Sequence, residues 1–168
     1  MTEFDGAKIL VVAPENGDDI VTVSSLKKAG YDARVVIEPE LIQTIIQETP
    51  PGCIIVPYAL RNQDGTMSLA ETLKNDAIYG HLPMITTLAV SSLQEIDWGV
   101  LRVDDFLIEP FDEMILLARV QICLARAQRD LNANPLTGLP GNIAIIREAE
   151  SRISQGLPFC VAYLDLDH

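Results

Sequence analysis

Short apolar runs alternate with amphipathic stretches along the first 130 residues. The apolar runs predict strands at residues 8–13, 33–37, 53–57, 83–88 and 105–108. The stretches between them predict helices over residues 18–29, from Pro39 to Pro50, from Gly65 to about Asp76, and over a short segment around 91–96. Continuous apolar strands are typical of a parallel sheet that helices cover on both faces. The pattern therefore predicts five β-α units in one doubly wound α/β domain.

One long last helix is predicted over residues 111–133, between Pro110 and Asn134. Leu117, Leu124 and Leu131 lie seven residues apart in it, and Val120 and Ala127 follow the first two by three residues. Such a heptad pattern is typical of a dimeric coiled coil. A final helix that packs on its own sheet explains the first half of the pattern equally well. Both interpretations stay open.

A second, smaller segment follows the predicted domain of residues 1–129. Residues 130–168 contain a turn rich in Pro and Gly, a predicted helix over roughly 143–154, and a predicted apolar strand from Phe159 to Leu164. A segment below about 40 residues cannot close a hydrophobic core alone. We therefore expect an incomplete α/β fragment that is docked, swapped with another chain, or mobile.

Charge and cysteine usage exclude several classes of function. The chain carries 24 acidic and 12 basic residues, a net charge of −12, and no local run of Lys or Arg, which argues against nucleic acid as a partner. Cys53, Cys123 and Cys160 are expected to be buried free thiols, and the location is expected to be cytoplasmic. No apolar run is long enough for a membrane span, and neither Cys nor His has zinc-ligand spacing.

Three stretches resemble the response-regulator receiver (CheY-like) family: KILVVAPE at 8–15, NQDGTMSLAETLK at 62–74 and VDDFLIEPFD at 103–112. The resemblance implies a flavodoxin-like sheet in the order 2-1-3-4-5. It also implies a phosphorylation site built from two acids after the first strand, an acceptor Asp, a Thr or Ser, and a Lys. The five matching positions here hold other residues, namely Ala13, Pro14, Pro57, Leu88 and Glu109. A hard cation needs carboxylate oxygens and a transferred phosphoryl group needs cations, so we expect no phosphorylation.

Other acids near this edge receive a structural interpretation. Asp18 or Asp19 is expected to cap the first helix, and Asp64 to form a turn with Gly65, although Glu15 with these acids leaves a metal site as the alternative. The loop after the first strand, PENGDD, lacks the glycine-rich pattern that holds a phosphate. No cofactor is expected in this chain.

The tail resembles the opening of a GGDEF diguanylate cyclase domain, in NPLTGLPGN at 134–142 and YLDLDH at 163–168. Asn134 and Gly141-Asn142 depart from the family pattern. The resemblance implies a metal ligand at Asp165, beside the Leu166 carbonyl, with Mg²⁺ and GTP as ligands only of a complete domain. The GGDEF loop itself does not occur in the 168 residues, so we expect no catalysis by this chain.

Two functions compete. The leading hypothesis is a receiver-like module that cannot be phosphorylated and regulates a cyclic di-GMP output through protein contacts. It implies a homodimer, either through the face of helix four, strand five and helix five, with Trp98, Phe106 and Leu117, or through the 111–133 helix, with Leu124 and Leu131. An upstream signalling protein is a further expected partner. The alternative is a fragment of an active diguanylate cyclase. The receiver resemblance further implies a cis Glu109-Pro110 bond.

Overall fold

The computed structural model describes residues 4, 6–14, 20–38, 41–61, 67–77, 79–132 and 141–162. The chain divides into two compact units, residues 1–127 and 128–168. Each unit is considered by itself. Within the described residues, no helix combines the length and the apolar character that a bilayer crossing requires.

The first unit is built on a five-stranded parallel sheet in the order β2-β1-β3-β4-β5, as predicted. The strands are β1 Lys8–Val12, β2 Asp32–Val36, β3 Cys53–Pro57, β4 Met84–Ala89 and β5 Asp105–Glu109. Each lies within one residue of its predicted bounds. Continuous apolar runs located the strands well because both faces of the sheet are covered.

The helices are α1 Ile20–Lys28, α2 Ile42–Glu48, α3 Leu69–Asn75, α4 Glu113–Asn132 and α5 Asn142–Ser154. The helix predicted around residues 91–96 is wrong: Val90–Gln94 forms a 3₁₀ turn. None of the residues in this turn is buried. Leu93 packs partly against the core, whereas Val90 is exposed, and such a short segment with little burial gains little from a full α-helix.

Two apolar layers enclose the sheet. One face packs against α2 and α3, through residues such as Ile42, Ile46 and Leu73. The other face packs against α1 and α4, through residues such as Leu26 and Leu116. The second layer uses Leu116, Val120, Cys123 and Leu124 of α4, which are all buried. The first half of α4 therefore packs on its own sheet, and Leu124 is not available for a coiled coil.

A buried lysine fixes the amino-terminal edge of the sheet. The Lys74 side chain, at the end of α3, is 5% exposed, and its Nζ lies 2.6 Å from Asp104 Oδ2. Lys74 Nζ also donates hydrogen bonds to the carbonyl oxygens of Gly80 and Leu82, at 3.2 and 2.9 Å. Asp104 Oδ2 in turn accepts a hydrogen bond from the backbone N–H of Met84. One cation thus connects α3, the loop before β4 and the start of β5.

Besides the end of α4, the described part of the second unit covers residues 141–162, which contain α5 and, over 157–162, no helix or strand. The strand predicted from Phe159 is wrong over residues 159–162, which have no strand pairing, and its last two residues lie outside the described ranges. A strand needs a neighbour for its backbone hydrogen bonds. Cys160 is exposed, against the expectation of burial, as are all the described residues from 150 to 162.

Candidate functional site

The carboxyl ends of the parallel strands bring the predicted pocket positions to one edge of the sheet. Ala13 follows β1, and its N–H donates to Val36 O at 2.9 Å. Pro57 pairs in register with Thr87, and Glu109 with Ala89 beside Leu88. The structure therefore brings together the ends of β1, β3, β4 and β5, as the receiver resemblance implied.

The side chains at this edge carry little chemistry. Ala13 and Leu88 are buried, Pro57 is half-buried, and Pro14 and Glu109 are exposed. Only Glu109 among the five has a charge, and it is negative. No group of three or more His, Cys, Asp or Glu side chains with metal-binding geometry occurs among the described residues. Several acids weighed as metal ligands lie outside the described residues: Glu15, Asp18, Asp19, Asp64 and Asp165.

Two threonines of β4 adjoin the position held by Leu88, a feature not considered in the sequence reasoning. Thr86 Oγ1 is fully buried and donates to Val56 O at 2.9 Å, so this hydroxyl joins β4 to β3. The carbonyl oxygen of Thr87 accepts a hydrogen bond from Tyr58 N at 2.8 Å. The Thr86 hydroxyl is thus committed to the scaffold.

The loop geometry at the end of β5 matches the expectation. The Glu109-Pro110 peptide bond is cis, as predicted. After β3, the Arg61 guanidinium lies 5.7 Å from the centroid of the Tyr58 ring, and Leu69 N donates to Leu60 O at 2.7 Å. The described backbone at the end of β5 thus keeps the cis bond that the resemblance implied, with Glu109 in place of the lysine.

A second candidate surface, hereafter the β5–α4 face, consists of Trp98, Phe106, Ile108, Ile115 and Arg119. The Trp98 and Phe106 rings lie 5.1 Å apart at 45°. Arg119 Nη1 lies 2.8 Å from Asp105 Oδ1, and its guanidinium lies 6.0 Å from the Phe106 ring. A groove of about 490 Å³ opens beside these side chains, lined also by Pro110 and Phe111. The face presents an apolar surface with one fixed cation.

The predicted interface residues do not all reach this face. Trp98 is 43% exposed, whereas Phe106 and Leu117 are half-buried and Leu124 is 5% exposed. The side chain of Leu131 lies outside the described residues. Instead, α4 exposes Met114, Ile115 and Ile122, at 81%, 48% and 44%. Ile115 and Ile122 lie one and eight residues after Met114, which places the three side chains on the side of the helix opposite the buried residues. The helical period of these apolar positions is the feature of the sequence from which the exposed side could have been predicted.

Two cysteines meet inside the second apolar layer. Cys53 and Cys123 are buried and reduced, and Cys53 Sγ–H donates to Cys123 Sγ at 3.8 Å. This hydrogen bond, followed by burial, raises the pKa of the Cys53 thiol well above its ordinary value. The expectation of buried free thiols is confirmed for these two cysteines.

Comparison with known proteins supports the receiver resemblance. No protein-family model matches the chain. The chain is 28% identical over 147 residues to the DNA-binding dual master transcriptional regulator RpaA of Synechocystis. The matched region covers 79% of this chain and 59% of RpaA. The chain is also 26% identical over 142 residues to the phosphate regulon transcriptional regulatory protein PhoB of Rhizobium meliloti, in a match that covers 84% of this chain and 61% of PhoB. The chain thus spans about three fifths of the length of these curated relatives.

Solved structures show the same fold. A putative response regulator from Chloroflexus aurantiacus is 22% identical, with a TM-score of 0.58 over 72% of this chain and 99% of the other. The chemotaxis response regulator CheY4 of Vibrio cholerae is 18% identical, with a TM-score of 0.56 over 70% of this chain and 98% of the other. The first unit therefore has the CheY-like, flavodoxin-type fold, with the strand order of a receiver domain.

Proposed function

We propose that the first unit is a receiver-like signalling module of a two-component response regulator that takes no phosphoryl group and acts through contacts with other protein chains. One observation carries this proposal: the strand ends that the receiver frame brings together hold Ala13, Pro14, Pro57, Leu88 and Glu109. None of these side chains is a phosphoryl acceptor paired with a cation. A receiver-like fold that is not phosphorylated can still act through its surface, by binding other protein chains.

Charge at the edge also opposes phosphorylation. Glu109 stands where the resemblance implies a lysine, and it is exposed. A carboxylate at about 4 Å from a phosphoryl charge repels it by about 1 kcal/mol in water, and by more where water is excluded. The module is therefore unsuited to phosphate even if another residue accepted it.

The β5–α4 face is the contact surface that we assign to a homodimer. It is apolar at Trp98, Ile108 and Ile115, and the exposed Met114 and Ile122 extend it along α4. Exposed apolar side chains that adjoin one another are typical of interaction sites. Arg119, held by Asp105, adds a positioned cation, and Arg is favoured at protein interfaces. An upstream signalling protein competing for the same face would then set the fraction of dimer.

Sedimentation equilibrium of the full chain, with and without the phosphodonor acetyl phosphate and Mg²⁺, tests this function. We expect a concentration-dependent dimer with the same dissociation constant in both conditions. Ile115→Asp is expected to weaken the dimer at least about tenfold, since it buries an unpaired charge. The matched control is Val21→Asp, at an α1 residue that is 69% exposed and outside this face, and it is expected to leave the constant unchanged.

Two results would count against the proposal. A chain that stays monomeric at every concentration would remove the assigned contact. Dimerisation that appears only with the phosphodonor would return the module to ordinary receiver chemistry.

The tail favours a cyclic di-GMP output for the module. The stretch NPLTGLPGN at 134–142 carries the resemblance to a GGDEF domain, and α5 begins at its last residue, Asn142. RpaA and PhoB are transcriptional regulators by name, so a DNA-binding output is the competing assignment. The acidic net charge of −12 gives no support to DNA binding within these residues.

The output is tested by the coding sequence downstream of residue 168 and by an assay of the longer protein. A GGDEF or GGEEF loop with formation of cyclic di-GMP from GTP and Mg²⁺ would establish an active cyclase, the alternative function. A cyclase-like domain without product would indicate a degenerate output. A DNA-binding domain in that place would exclude both.

A further inference from the structure

The start of β3 and the last turns of α4 approach each other closely. A Cβ built on Gly52 would lie 3.1 Å from Leu124 Cδ2 and 3.5 Å from Lys8 O. Because Gly52 has no side chain, Leu124 packs directly over the start of the strand. Cys53, which follows Gly52, and Cys123, which precedes Leu124, lie in the same apolar layer.

The two sulfur atoms are 3.8 Å apart, and both side chains are buried, at 0% and 2% exposure. A disulfide has an S–S distance of about 2.05 Å, so each sulfur has to move by about 0.9 Å. Rotation about the two Cα–Cβ bonds is the movement by which the sulfurs would approach. The pair is separated by 70 residues in sequence, so a bond between them would close a long loop.

We propose that Cys53 and Cys123 are a covalent modification site, at which a small peroxide forms a reversible disulfide that ties α4 to the sheet. The proposal is independent of the dimer assigned above. It uses thiols that the phosphorylation chemistry of receivers does not involve.

The reaction balances with one peroxide for each bond. One thiol gives up its proton, and its sulfur attacks one oxygen of hydrogen peroxide and becomes a sulfenic acid; the other oxygen leaves as hydroxide and takes the proton to form one water. The second thiol then attacks that sulfur, forms the S–S bond and releases the hydroxyl group as a second water. The two sulfurs are oxidised and both peroxide oxygens are reduced. A dithiol reductant reverses the bond by thiol–disulfide exchange.

The place of the bond gives it a consequence. Cys123 lies four residues before Ala127, where the first unit ends, and α4 continues to Asn132. A covalent link to β3 would hold the helix against the sheet in the last turn that the first unit contains. Disulfides of this transient kind are the form that redox sensing takes in reducing compartments.

The experiment uses the full chain with Cys160→Ser, which removes the exposed thiol and with it disulfides between chains. The folded protein is treated with graded hydrogen peroxide, and the intact mass and the linked peptides are measured. We expect a loss of two hydrogen atoms, one peptide pair joining residues 53 and 123, reversal by dithiothreitol, and a rise in Tm of about 5 to 10 °C.

The controls are the same chain with Cys53→Ser or with Cys123→Ser, which are expected to show neither the link nor the rise in Tm. Two outcomes would overturn the proposal. In one, the folded chain keeps both thiols at peroxide levels that link them in urea. In the other, the sulfurs gain oxygen atoms without forming a bond between them.

Discussion

Replacement of Lys74 by methionine tests whether the buried cation holds the amino-terminal edge of the sheet. Methionine keeps the apolar stem of the side chain and removes the ammonium group. The carbonyl oxygens of Gly80 and Leu82 then lose donors at 3.2 and 2.9 Å, and Asp104 loses its ion pair at 2.6 Å. Lys74 belongs to α3, whereas Gly80 and Leu82 lie in the loop before β4 and Asp104 lies just before β5, so the loss is expected to loosen α3, β4 and β5 together.

The size of the effect follows from burial. A buried carbonyl left without a donor costs about 1 to 3 kcal/mol, and the Leu82 bond is buried whereas the Gly80 bond is partly exposed. The Asp104 side chain is 41% exposed, so water replaces much of its ion pair, which we count at about 1 kcal/mol or less. We expect Lys74→Met to lower the free energy of unfolding by about 2 to 4 kcal/mol.

Urea denaturation followed by far-UV circular dichroism measures this loss, with an unchanged slope as the sign that the transition stays two-state. Lys27→Met, at an exposed lysine in the last turn of α1, is the matched control and is expected to change stability by about 0.5 kcal/mol or less. In a double-mutant cycle, the variant with both Lys74→Met and Asp104→Asn should lose less free energy of unfolding than the sum of the losses in the two single variants. A loss for Lys74→Met no larger than for Lys27→Met would refute the reasoning.

Three further predictions concern the scaffold and its thiols. Ser68→Ala removes the oxygen that accepts a hydrogen bond from Glu71 N at 3.1 Å in the capping box of α3. It is expected to lower the free energy of unfolding, measured in urea, by about 1 kcal/mol. An unchanged free energy would mean that the capping box does not contribute to stability. Gly80→Ala places a Cβ 2.6 and 2.7 Å from the backbone oxygens of Lys74 and Asp76, so a loss of about 1 to 3 kcal/mol is expected by the same assay, and an unchanged midpoint would contradict the close approach. In the folded chain, the exposed Cys160 should react rapidly with a bulky aromatic disulfide reagent, which is much larger than hydrogen peroxide, whereas all three cysteines should react with it in denaturant. Equal rates for the three in the folded chain would contradict the burial of Cys53 and Cys123.

The sheet was predictable because its strands are short apolar runs whose character does not depend on distant partners. The run CIIVP at Cys53–Pro57 coincides with β3, and the run at 105–108 gives β5 to within one residue. The positions at the carboxyl edge followed from the register of these strands. The residue types at these positions could therefore be read from the sequence before the structure placed them together.

The surface of α4 could not be predicted from its heptad spacing. The buried residues Leu116, Val120 and Cys123 follow the period of a single helix on a sheet, whereas Leu117 and Leu124 suggested a two-helix seam. Packing on the sheet determines which side of the helix is buried. The buried side that is observed and the side that the heptad pattern suggested differ by a rotation of about one residue around the helix axis. Burial of Lys74 was equally out of reach, because its partner Asp104 is 30 residues away in sequence.

The central claim is that the receiver frame of the first unit no longer takes a phosphoryl group. The most direct measurement is the intact mass of the full chain after incubation with acetyl phosphate and Mg²⁺, beside a variant carrying Ala13→Asp, Pro14→Asp, Pro57→Asp, Leu88→Thr and Glu109→Lys. We predict no added phosphoryl group on the natural chain and one on the variant. A phosphoryl group on the natural chain that maps to this edge of the sheet would contradict the claim.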